Sequence, residues 1–257
     1  MRGKSWDRVA GGLVAAVAIA LSAGAWATPV PVVTVDATDV IYAAGSQGSI
    51  ATGDGGTVPS YIALSGSADF VTFTGVTGSI TCSSLEGCIT LNGGGNYNDP
   101  DGTGAAVTSS SNSGTSYISG ITAPHSGYLV GVFLAAGGPY SPAPTALNFT
   151  GATSFTSLSP LLDQVFFIGD GLTGDGSGST QVFNVPSGAS ELYLGISDAP
   201  GYNGGPGSYS DNSGSFSFAA NVINTPSAIP EPDSIALLGV GLLGLFAALR
   251  WWRNTVA

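Results

Sequence analysis

The residues best placed to do chemistry lie late in the chain, in Leu192-Tyr-Leu-Gly-Ile-Ser-Asp198-Ala-Pro-Gly-Tyr-Asn-Gly-Gly-Pro-Gly-Ser208-Tyr-Ser-Asp211-Asn212-Ser-Gly-Ser-Phe-Ser-Phe218. An apolar strand ends in Asp198, a Gly/Pro loop follows, and Asp-Asn-Ser-Gly leads into a second, alternating strand. Such a loop can gather the side chains of Asp198, Asp211 and Asn212, with turn carbonyls, around one ion. Ligation by oxygen alone suits Ca2+. The same residues also suit an Asx-turn hairpin, in which Asp and Asn bond their own backbone. Spacing alone leaves both readings open.

Other chemistries find little support. His125 is the one histidine, set in Ala-Pro-His-Ser-Gly. A Ser-His-Asp triad needs a base beside a nucleophile, and no G-x-S-x-G elbow is present. Zinc sites of the His/Cys type are excluded by ligand count. Gly169-Asp-Gly-Leu-Thr-Gly-Asp-Gly-Ser-Gly178 precedes no helix and carries no Lys, so it is no phosphate loop; a hairpin loop is expected there. Carboxylate pairs for glycoside hydrolysis are permitted by the number of acids, but no spacing points to one. The expectation is a protein that is not an enzyme.

Charge narrows the partners. All five Lys and Arg residues lie in the terminal segments, and 28–227 holds thirteen Asp or Glu and no Lys or Arg. A surface without cations cannot neutralise phosphates, which argues against nucleic-acid binding. Unpaired carboxylates must be solvated or must meet a metal ion, and Ca2+ is the natural extracellular one.

Both ends read as address labels. Arg2, Lys4 and Arg8 precede the apolar run Val9 to Leu21, and Ala25-Trp26-Ala27 is a small-residue cleavage site, so residues 1–27 form a signal peptide and the mature chain starts at Thr28. Export makes a Cys82–Cys88 disulfide the default, closing a five-residue loop. At the other end Pro230-Glu231-Pro232 and Ser234 precede the apolar Ile235 to Leu249, which stops at Arg250, Trp251, Trp252 and Arg253. At about 1.5 Å per residue that run falls short of a roughly 30 Å hydrocarbon core, and its basic end would stay cytoplasmic.

From Ile229 to Arg253 the chain resembles the PEP-CTERM sorting signal of Gram-negative bacteria that use an exosortase. The resemblance implies transient insertion in the inner membrane as a sorting helix, processing by exosortase after signal peptidase, and delivery to the outer surface or extracellular matrix.

Between the labels, short runs of strand character recur between Gly, Pro, Asn and Ser clusters. They are Pro31 to Val35, Val40 to Tyr42, Asp69 to Thr74, Tyr128 to Leu134, Gln164 to Ile168, Gln181 to Val185, Glu191 to Ile196 and Phe216 to Val222. The pattern predicts an all-β, single β-sandwich of jelly-roll type over 28–222, with 223–229 as linker and 230–257 as the sorting signal. Asn98 to Ser116 is expected to be a long surface loop.

The Asp198 loop resembles that of the calcium-dependent, galactose-binding bacterial lectins of the PA-IL family, which are small β-sandwiches. Asp198-Ala-Pro-Gly201 and Ser208-Tyr-Ser-Asp211-Asn212-Ser-Gly-Ser-Phe216 carry the likeness. It implies Asp198, Asp211 and Asn212 as side-chain ligands of Ca2+ and Ser208 as a carbonyl ligand. It implies carbohydrate contacts by Asp198, Asp211 and, in Asn98-Asp-Pro-Asp-Gly102, Asp101. Tyr202 to Gly207 is an insertion relative to that family, and Asp211 stands where the family has Asn. The alternatives are a structural matrix protein without a small ligand and an exported hydrolase.

Overall fold

The computed structural model describes residues 28–29, 32–46, 55–66, 68–81, 99–104, 106–109, 117–140, 142–199, 203–207, 209–224, 244–245, 250–252 and 254. In chain order the strands are β1 (Thr28–Pro29), β2 (Val33–Asp36), β3 (Tyr61–Ala63), β4 (Phe70–Thr81), β5 (Val107–Ser109), β6 (Ile121–Ala123), β7 (Tyr128–Ala135) and β8 (Leu147–Asn148). They continue with β9 (Ser157–Leu158), β10 (Val165–Phe167), β11 (Leu172–Gly174), β12 (Ser177–Thr180), β13 (Val182–Asn184), β14 (Ala189–Ser197), β15 (Asn203–Gly204) and β16 (Ser213–Ile223). The fold is all-β.

Two sheets carry the core. One runs β1-β16-β4-β13-β9, with β2 also pairing β16; the other runs β10-β7-β14-β3. Side-chain alternation explains the first sheet: Val71 and Phe73 on β4, and Phe216, Phe218 and Ala220 on β16, are buried, while Thr74 is exposed. The second has β7 at its centre, a near-continuous apolar run whose residues from Tyr128 to Leu134 are all buried, as in a strand covered on both faces. The sheets meet through aromatic rings. Phe73 contacts Phe183 and Phe218 within the first sheet, and Phe183 reaches Phe166 of β10 at a centroid distance of 5.3 Å. The arrangement is sandwich-like. A third sheet, β15-β5-β6-β8, and the β11-β12 hairpin flank it.

Two local expectations need correction. Val40 to Tyr42 is not a strand: Ile41–Ala43 forms a 3-10 turn with all three residues buried. A strand would send alternate residues to opposite faces, whereas the single turn places Ile41, Tyr42 and Ala43 all in the core. The expected loop from Asn98 to Ser116 contains β5, which pairs with β6. Asp170 and Asp175 belong, as expected, to a hairpin, with Asp175 and Gly176 joining β11 to β12. Residues 244–245, 250–252 and 254, Arg250 among them, are helical. Among the described residues no helix is long and apolar enough to cross a membrane. Most of the expected sorting helix lies outside them.

Candidate functional site

Asp198 follows directly on β14 and is 7% exposed. Its Oδ1 accepts the Ala199 N–H at 2.7 Å. Gly207 closes over the carboxylate: a Cβ there would lie 2.9 Å from Oδ2, so no larger residue fits without a shift. Asn212, from the turn before β16, is also 7% exposed. Its Nδ2 donates to the Ala37 carbonyl at 3.0 Å, and its Oδ1 is buried without a hydrogen-bond partner. Burial pushes the Asp198 carboxyl up to about 7; the Ala199 N–H and the Asn212 amide oppose the rise, and the Asp211 charge adds to it.

The expected ligand set is thus partly assembled. Asp198 and Asn212 come together, and Asp211 lies close enough to act on Asp198 while its side chain is exposed. Ser208 lies outside the described residues, as do Cys82, Cys88, Pro230, Glu231, Pro232, Ser234 and Arg253. The inserted segment is docked rather than free, since β15 pairs in parallel with Thr108 and Ser109 of β5. Beneath Asp198 lies a buried hydroxyl group of contacts. Tyr42 Oη meets Ser197 Oγ at 3.0 Å and also Ser109 Oγ, and Tyr209 donates to the Ile196 carbonyl at 3.2 Å. Burial pushes the Tyr42 hydroxyl up to about 12, so it stays neutral and serves as a hydrogen-bonding wall.

Asp101 keeps different company. Its carboxylate and those of Asp170 and Asp175 have oxygens within 4.8 Å of one another. Asp170 is fixed by two backbone donors, Leu172 N–H to Oδ1 and Gly176 N–H to Oδ2, each at 2.8 Å. Asp101 Oδ1 accepts the Asp170 N–H at 3.3 Å, and its Oδ2 atom is buried without a partner. Asp99 orients this loop by accepting the Asp101 N–H at 3.1 Å. Burial, followed by the neighbouring Asp170 charge, pushes Asp101 up to about 7. Two cavities, of about 100 and about 300 Å³, share Asp101 and Asp175 as lining. His125 lines the smaller one, and its Nδ1 lies 3.1 Å from the Gly104 carbonyl.

The lectin resemblance gives Asp101, in Asn98-Asp-Pro-Asp-Gly102, a carbohydrate contact alongside Asp198 and Asp211, and the sequence pattern presents Asp170 and Asp175 only as hairpin residues. The available signal was the Gly/Asp composition of 169–178. The convergence of that hairpin on the loop of Asp99 and Asp101 is a tertiary event that spacing does not record.

Residues 228–253 match the PEP-CTERM protein-sorting motif. The motif implies an exported protein, directed toward the cell envelope or surface and processed by an exosortase. No curated protein and no solved structure matches the chain. The likeness to galactose-binding lectins therefore has no homologue or solved structure behind it.

Proposed function

We propose that the chain is a calcium-dependent carbohydrate-binding domain of jelly-roll, lectin-like type. It acts on the outer cell surface or in the extracellular matrix after its sorting signal is processed. Asp198, Asp211 and Asn212 would hold Ca2+ by their side chains and Ser208 by its carbonyl. The observation that carries the reading is the orphaned Asn212 Oδ1, in a side chain only 7% exposed and beside the equally buried Asp198 carboxylate. A buried oxygen without a donor invites a cation, and residues 28–227 supply neither Lys nor Arg to answer it. Bound there, the ion would present its open coordination positions to sugar hydroxyls.

One observation favours a second reading, a structural matrix protein without a small ligand. Asp198 Oδ1 already accepts the N–H of the next residue, Ala199, so this buried carboxylate is satisfied in part with no ion present. Retention on galactose or mannose resin separates the two. Calcium-dependent retention that EDTA reverses and Asp198→Ala abolishes supports the lectin reading. Passage through both resins in calcium favours the structural protein. Turnover of a glycoside panel, lost in Asp101→Asn, would replace both with an exported hydrolase.

A further inference from the structure

The two ends of the domain leave it at one place. β1 pairs antiparallel with β16, Thr28 opposite Val222 and Pro29 opposite Asn221. In an antiparallel pair the segment before Thr28 projects the same way as the segment after Val222. The exit of β16 is itself clamped: Asp69 N–H donates to the Ile223 carbonyl at 2.9 Å, and Ser65 Oγ donates to Asn224 Oδ1 at 3.0 Å. Five residues lie between Asn224 and Pro230, and the six steps of chain reach at most about 22 Å. The neighbouring strand lies about 4.8 Å away. The Ala27–Thr28 bond and the Pro230–Pro232 motif are therefore on the order of 30 Å apart even at full stretch.

We propose that the folded domain is held at a single corner by both of its membrane segments, so that signal peptidase and exosortase act on neighbouring strand ends of one folded body. The proposal rests on the sorting reading above. Arg2, Lys4 and Arg8 at one end and Arg250 and Arg253 at the other place both cytoplasmic flanks on the same side, so both cuts fall on the outer face of that membrane. Folding need not wait for either cut, because the β1–β16 pairing is formed by residues that both segments leave outside the membrane. Neither cut frees the domain alone, since each leaves the other segment in place.

The test uses the full-length chain in a host with an exosortase. Thr28→Cys and Val222→Cys are introduced together with Ala27→Phe, which spoils the small-residue cleavage site. Thr34→Cys with Ser217→Cys, facing residues of β2 and β16, reports folding of the same strand edge. Non-reducing peptide mass spectrometry of membrane-bound, uncut chains is expected to show the 28–222 linkage wherever the 34–217 linkage forms. Ala27→Phe alone, and Pro230→Ala with Pro232→Ala, are each expected to leave the domain on the membrane. The 34–217 linkage without the 28–222 linkage in uncut chains overturns the proposal, as does release of Ala27→Phe chains after exosortase processing. Release of wild-type chains that keep peptides beyond Ser234 overturns the sorting reading, and the requirement for two cuts with it; the 28–222 linkage then decides separately whether the shared corner stands.

Discussion

Asp198 is a carboxylate buried in a domain whose residues 28–227 hold no Lys or Arg to pair with it, and this has a consequence for stability. Its folded-state pKa rises from 3.8 to about 7. Between those values the folded chain keeps a proton that the unfolded chain gives up. The stabilising contribution is complete below about pH 4 and is lost as pH rises toward 7. In EDTA the domain is expected to melt at progressively lower temperature from pH 4.5 to 7.5. Asp198→Asn should flatten that slope by on the order of 3 kcal/mol. An unchanged slope in the variant would show that Asp198 is solvated. Asp101 acts in the same direction, as a more exposed group. Asn212 makes a separate point. Asn212→Ala removes the donor to the Ala37 carbonyl and is expected to cost about 1–3 kcal/mol, measured by chemical denaturation in EDTA.

At the scale of elements, periodicity reported what periodicity can. Tyr128 to Leu134, Glu191 to Ile196 and Phe216 to Val222 became β7, β14 and β16, each within a few residues of its expected bounds. Strands of two or three residues, such as β3, β8 and β9, are too short to show a period of two. They exist because longer neighbours offer them an edge. The site follows the same rule: Asp198 and Asn212 lie in one strand-loop-strand and were visible, whereas Asp101 and Asp170 meet only through tertiary packing. The long β4–β16 ribbon also contains a backbone constraint that sequence reading passed over. Gly214 has φ +91°, and a Cβ there would lie 2.3 Å from the Ser79 carbonyl oxygen of β4. Gly214→Ala is expected to destabilise by about 1–3 kcal/mol, while Gly66→Ala, where a Cβ meets nothing within 4 Å, should be near neutral. Equal denaturation midpoints for the two variants would remove the constraint.

Across the whole molecule the dominant fact is charge of one sign. Residues 28–227 carry thirteen acids against no Lys or Arg, and Asp198, Asp211, Asp101 and Asp170 all sit in loops between strands. Two effects of calcium must then be told apart. Any salt weakens the self-repulsion of such a body, increasingly as ionic strength rises and the screening length shortens. A specific site adds RT ln(1 + [L]/Kd), about 2.7 kcal/mol at calcium a hundredfold above Kd. For a domain of this size that is about 5–10 °C in melting temperature. The expected result is a shift of that order in CaCl2 at pH 7.5, beyond the shift in NaCl of equal ionic strength. Asp198→Ala should keep the NaCl response and lose the calcium excess. Asp36→Ala, an exposed carboxylate on β2, should keep both. Asp163→Ala is a poor control, because Asp163 is 6% exposed, has φ +62° and accepts the Tyr140 N–H at 3.1 Å. A calcium excess that survives Asp198→Ala but vanishes in Asp101→Asn would move the ion to the Asp170 hairpin. No excess over NaCl in the wild-type domain would remove the ion altogether and leave the structural matrix protein as the better account.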